Sequence, residues 1–143
     1  MSFANPPPET IRRLLSTAGT IAIVGLSDNP QRPSYEVAST LLDLGHRIVP
    51  INPALAVWEG IRALPDLEHA RELMPPGQQI DIVNVFRRPV HIAAIVDDCI
   101  RLAMPALWLQ LGVIDEAAAL RAQQAGITVV MDRCIKMERM RMG

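Results

Sequence analysis

The residues of this chain with chemistry to offer a ligand are few. They are the run Gly25-Leu26-Ser27, then Arg32-Pro33-Ser34, the pair Asn52-Pro53, the trio Phe86-Arg87-Arg88, Gln110 and Gly112, and Cys134. Guanidinium groups stay charged at any physiological pH and fork onto oxyanions, so Arg32, Arg87 and Arg88 on two loops point to a phosphorylated ligand. Each arginine alone is an ordinary surface residue; their joint position carries the reading. Catalytic chemistry is thinly provided, and no catalytic residue is expected. His46 precedes a strand, His69 sits in an irregular segment and His91 begins a helix, so all three read as surface or capping residues. Asp132 is the one acid on these loops outside residues 25–34 and has no carboxylate partner for acid–base work. No Cys/His cluster has metal-ligand spacing, so no metal is expected. Cys134 follows Asp132-Arg133, beside a helix start and an arginine, a setting in which thiols are reactive. It is a candidate reactive thiol at the site, with a partly buried structural cysteine as the alternative. Cys99 falls on the apolar side of its helix and reads as core.

These residues need a scaffold, and the organising stretch is 20–37. Ile21-Ala22-Ile23-Val24 is an unbroken apolar run, suited to a strand buried on both faces. Gly25 ends it, a polar loop follows, and Pro33 stands where a helix begins, since its fixed φ suits the first turn. Val37, Ala38, Leu41, Leu42 and Leu44 recur at helical spacing up to Gly45. A strand, a glycine loop and a helix aim free amides and the positive helix end into the loop, a seat for phosphate.

Around this unit the chain alternates. Residues 1–8 end in three prolines and read as an extended N-terminal arm; 9–18 form a one-sided helix that packs on the sheet or a partner chain. Ile48–Ile51 is a second strand, 57–63 a short edge strand and 67–74 a short helix. Ile80–Phe86 is a buried strand, 90–103 a helix, 106–110 a strand, 115–125 an Ala-rich helix, 127–131 the last strand and 133–142 a closing helix. This alternation predicts an α/β, doubly wound, mainly parallel sheet with helices on both faces, in one domain spanning 1–143. Ligands of such sheets sit at the rim of strand carboxyl ends, where strand order reverses.

Composition narrows the function. A formal charge of −1 gives no general attraction to nucleic acid or an anionic membrane, and neither partner is expected. No apolar run approaches the ~20 residues that span a bilayer. Residues 1–8 lack the basic start and apolar stretch of a signal peptide, and two cysteines make no disulfide framework, so a cytoplasmic protein is expected. The apolar first helix and the Met-rich end (Met137, Met140, Met142) suit a homodimer contact. A dinucleotide fingerprint is incomplete: only Gly25 of the three glycines is present, and the second strand ends in Asn52-Pro53 without the acid that holds a ribose. An NAD(P)-dependent oxidoreductase or other dinucleotide-binding protein stays as one alternative reading. An interaction protein with a vestigial nucleotide site is another.

Five segments together resemble the small stand-alone CoA-binding proteins, relatives of the CoA-binding domain of the succinyl-CoA synthetase alpha subunit. They are Val24–Ser27 with Arg32–Tyr35, Pro50–Pro53, Asp81–Arg88, Trp108–Gly112 and Val130–Cys134, in order over about residues 15–140. The resemblance implies a Rossmann-like fold and a non-catalytic carrier, sensor or regulatory module whose ligand is coenzyme A or an acyl-CoA. By position, it implies that Gly25, Leu26, Ser27, Arg32, Pro33 and Ser34 hold the diphosphate. Asn52 and Pro53 flank the adenosine, Phe86, Arg87 and Arg88 line the middle of the ligand, and Gln110 and Gly112 lie near the pantetheine. Relatives often carry Lys or Arg directly after the Asn-Pro pair, where this chain has Ala54.

Overall fold

In the computed structural model, which describes residues 2–142, the apolar runs form five parallel strands. These are β1 (Thr20–Val24), β2 (Arg47–Ile51), β5 (Ile82–Val85), β6 (Ala106–Leu109) and β7 (Thr128–Met131), in the order β2-β1-β5-β6-β7. Ile23 faces Pro50 on one side and Asn84 on the other, and Asn84 in turn faces Trp108. Strand order reverses between β1 and β5, so the loops after those two strands diverge at the switch point of a Rossmann-like doubly wound sheet.

Both faces of the sheet are covered, which is why its strands read as continuous apolar runs. On one side α1 (Pro8–Thr17), α2 (Pro33–Asp43) and α6 (Ile135–Met140) bury Leu15, Val37, Ala38, Leu41 and Ile135 against Ile21, Ile23, Ile82 and Trp108. On the other, α3 (Leu67–Glu72), α4 (Ile92–Arg101) and α5 (Glu116–Gln124) bury Leu67, Ile92, Val96, Cys99 and Ala119 against Ala22, Val83, Leu107 and Val129. The Cys99 thiol is sealed in this core, where desolvation first, helped by Asp98, pushes its pKa up to about 12.

Several expectations are refined. The arm runs over 2–7, because Pro8 occupies the first helical position of α1, where a missing N–H costs nothing. The arm is anchored: the Asn5 side chain accepts from Met131 N (2.7 Å) and donates to Met131 O (3.0 Å). One amide thus imitates a strand partner and blunts the exposed edge of β7. The apolar face of α1 is spent within the chain, with Ile11 and Leu14 packing on the same cluster as Leu15. Residues 57–63 do not join the sheet as an edge strand. They form a hairpin of β3 (Val57–Trp58) and β4 (Ile61–Arg62), turned by Glu59 and Gly60 with φ of 50° and 77°, both positive as a type I′ turn requires. Trp58 carries the hairpin onto α2, its ring edge-on to Tyr35 at 5.3 Å.

His46 also departs from the surface or capping role expected of it. It is 6% exposed, its Nδ1–H donates to Ala18 O (2.9 Å), and its Nε2 accepts from Arg139 Nε (3.1 Å). Burial lowers its pKa, the Ala18 bond opposes this, and the nearby Arg139 charge lowers it further, so the ring is held neutral. Among the described residues, no helix is long and apolar enough to cross a membrane.

Candidate functional site

The site begins where β1 and β5 come closest. Gly25 N donates to Ile51 O (2.8 Å) and Phe86 N to Val24 O (2.8 Å), which ties the ends of three strands together. Gly25 has φ +85°, and a Cβ there would lie 2.3 Å from Phe86 O. Only glycine lets the two backbones approach this closely. The loop that follows is braced by its own polar side chains. Ser27 N donates to Ser34 Oγ (3.0 Å), Asn29 N to Ser27 Oγ (3.0 Å) and Gln31 N to Asn29 Oδ1 (2.9 Å). These bonds deliver the chain to Arg32, the N-cap of α2, with Pro33 behind it.

No side chain caps α2. Pro33 has no N–H, and Tyr35 N and Glu36 N donate to Arg32 O (3.1 and 3.4 Å), so the helix start offers an anion the amide of Ser34 and the positive end of the dipole. A cation at an N-cap opposes the dipole, yet Arg32 stands there, exposed. Across the cleft Arg87 is half-buried and Arg88 exposed. Among the described residues, no carboxylate forms an ion pair with any of these three arginines, whereas Arg101, Arg121 and Arg141 are each paired. Unpaired guanidiniums around an open helix end make a site of positive potential that a phosphate would complement.

The cleft is a cavity of about 530 Å³ walled by three loops in sheet order. Gly25, Ser27, Arg32, Pro33 and Ser34 come from the β1–α2 loop, and Phe86, Arg87, Arg88 and Pro89 from the β5–α4 loop. Gln110, Leu111, Gly112 and Val113 come from the β6–α5 loop. Ten of the fourteen sequence-derived site residues meet here. Ser34 is buried with its oxygen already accepting from Ser27, and buried Gln110 accepts from Ile135 N (2.8 Å) at the start of α6. Both therefore shape the cavity as well as line it.

Four expected residues stand apart from this cavity. The Leu26 side chain is fully buried under α2, and its carbonyl accepts from Asn52 Nδ2 (3.0 Å). Asn52 Oδ1 accepts from Ala54 N (2.8 Å), so this side chain is a bracket between two loops. Pro53 lines a second hollow of about 240 Å³ on the α3/α4 side, with Ile51, Asp66, His91, Ile95 and Asp98; Gly25 and Arg87 form the crest shared with the first. Cys134 is half-buried at the N-cap of α6, packed on the apolar cluster that contains Ile135, and lines neither hollow.

Residues outside the sequence-derived set complete the architecture. Pro89, Leu111 and Val113 line the main cavity, and nothing but their place beside Arg88 and Gly112 marks them in the sequence. Asp132, the acid without a catalytic partner, has a brace role: at φ +60° its Oδ1 accepts from Gly112 N (2.9 Å) and fixes the β6–α5 loop. Two residues below Phe86, Asn84 is fully buried in the middle strand, a polar residue that an apolar run conceals. Among the described residues, no group of three or more His, Cys, Asp or Glu is placed to hold a metal ion.

Comparison with known proteins agrees with this architecture. Residues 19–140 match the protein family described as CoA binding domain. The chain is 37% identical over 132 residues to the uncharacterized protein YneT of Bacillus subtilis, covering 92% of this chain and 93% of YneT. A solved structure from Thermus thermophilus superposes with a TM-score of 0.85 at 32% identity, covering 96% of this chain and all of that one. A hypothetical protein from Pyrococcus horikoshii OT3 superposes with a TM-score of 0.86 at 28% identity, and each chain is covered completely. The family match spans every loop of the cleft, and on that extent this chain belongs to the CoA binding domain family.

Proposed function

We propose that this protein binds coenzyme A or an acyl-CoA at the switch point and acts as a non-catalytic carrier, sensor or regulatory module. The observation that carries the reading is the uncapped start of α2 facing Arg32, Arg87 and Arg88 across one cavity, with no protein carboxylate paired to them among the described residues. In this reading the diphosphate rests over Gly25 and the first turn of α2. The adenosine turns over the Gly25–Arg87 crest into the hollow beside Pro53, which Asp66 and Asp98 also line. The pantetheine runs the other way, past Phe86 toward Gln110 and Gly112. The size of the main cavity and its mixture of apolar walls with a few charged groups suit a cofactor-sized ligand.

Isothermal titration with CoA, dephospho-CoA and NAD tests the proposal. CoA is expected to bind more tightly than either of the others, with affinity that falls as salt rises, since phosphate–guanidinium contacts are screened. No heat of binding at millimolar CoA overturns it. Tighter binding of NAD than of CoA would favour the dinucleotide alternative.

A further inference from the structure

We propose that the β6–α5 wall of the cavity receives the acyl chain of a thioester, so that the protein discriminates acyl-CoA from free CoA. The inference rests on the CoA reading above and adds to it which ligand state is preferred. The cavity is polarised along the sheet. Arg32 belongs to the β1 loop, and Arg87 and Arg88 to the β5 loop. The β6 loop, two strand spacings or about 10 Å from β1, has no charged residue from Gln110 to Ile114.

Several polar groups of that loop are spent internally. Gln110 Oε1 accepts from Ile135 N (2.8 Å), Gly112 N donates to Asp132 Oδ1 (2.9 Å), and Val113 N donates to the Gln110 backbone carbonyl (2.9 Å). What the loop presents to the cavity is hydrocarbon: Leu111, 64% exposed, and the buried Val113 line it, and Ile114, next in the chain, is 45% exposed. Leu111 and Val113 at the end of the cleft away from its arginines match a ligand that is anionic at one end and aliphatic at the other. Free CoA ends in a thiol and covers little of this wall; an acyl chain continues along it. The wall is also preformed, because Asp132 holds Gly112 and Asp115 caps α5 through Ala118 N (3.0 Å).

The test is calorimetric titration of CoA, butyryl-CoA and octanoyl-CoA, the last below its micelle concentration, into wild type and Leu111→Ser. A methylene half covered by an open wall tightens binding by about twofold, so octanoyl-CoA is expected to bind about tenfold or more tightly than CoA. Leu111→Ser is expected to cut that ratio by about threefold or more, with urea unfolding of the variant checking that the fold is intact. CoA binding with a ratio near one overturns the acyl wall and leaves the CoA reading standing. A raised ratio that Leu111→Ser does not change also overturns the wall, and so does dimerisation in sedimentation equilibrium that Leu111→Ser abolishes while the ratio stays near one. Failure of every thioester and of CoA itself to bind at millimolar concentration overturns both readings.

Discussion

Replacing Gly25 by alanine tests the geometry on which the cleft depends. The new Cβ would stand 2.3 Å from Phe86 O, 3.1 Å from Phe86 C and 3.0 Å from Arg87 Cδ. Two of those atoms are backbone of the central strand's exit, tied to Val24 O through Phe86 N, and cannot swing away as a side chain would. Two costs combine. An L-residue held at φ +85° costs roughly 1–2 kcal/mol, and forcing an extra carbon into packed surroundings costs roughly 1–3 kcal/mol. The total of about 2–5 kcal/mol, at a urea m-value of roughly 1.5–2 kcal/mol per M, lowers the unfolding midpoint by about 1–3 M. Gly126→Ala separates the two costs. Gly126 has φ +94° with nothing within 4 Å of its would-be Cβ, so this variant carries the backbone cost alone. Equilibrium urea unfolding of wild type and both variants, followed by CoA titration of each, is the assay. Gly25→Ala is expected to be the less stable of the two and to lose CoA affinity, and Gly126→Ala to keep it. Equal midpoints for the two variants, or undiminished CoA binding by Gly25→Ala, would refute the close approach and the seat built on it.

Other perturbations give results of definite sign. Arg32→Gln removes a cation from a helix N-terminus, so thermal unfolding of the free protein should rise by roughly 1–4 °C while CoA binding weakens; a loss of both would show that Arg32 has a structural role instead. Ala54→Lys should tighten CoA by about threefold without changing dephospho-CoA, if the segment after Asn52-Pro53 lies near the 3′-phosphate; equal effects on both ligands would place that phosphate elsewhere. Gln110→Met leaves the buried Ile135 N–H without its acceptor, and urea unfolding should show a loss of about 1–3 kcal/mol. The folded-state pKa of His46 is lowered, so its contribution to stability is complete above the unfolded value of about 6.5 and is lost as pH falls below it through the folded value. His69, raised by its Asp66 partner, works in the opposite sense. Urea midpoints measured from pH 7.5 to 4.5 should therefore fall less steeply in His46→Gln than in wild type, and identical slopes would remove His46 from the account.

The fold was legible because its strands are buried on both faces and bounded by strong punctuation. Ile21–Val24 closed by Gly25, and Ile82–Phe86 closed by Arg87-Arg88-Pro89, can be little else than parallel strands entering loops. Residues 57–63 were not legible to the same degree. Their conformation depends on Trp58 docking against Tyr35, a contact made 23 positions apart in sequence, and short segments take their shape from such partners.

For the site, the sequence by itself determined which groups exist and which loops hold them. A glycine after an apolar run, a proline at a helix start and arginines after a strand are local signals with local physical causes. Tertiary structure alone decided which of those groups share a space. Strand order sets β1 beside β5 and β5 beside β6, and that order brings Gly25, Arg87 and Gln110 into one cavity. It also places Pro53 over the crest and keeps Cys134 at a helix cap. Residue identity fixes what a side chain can do; the pairing of strands distant in sequence fixes what it can reach.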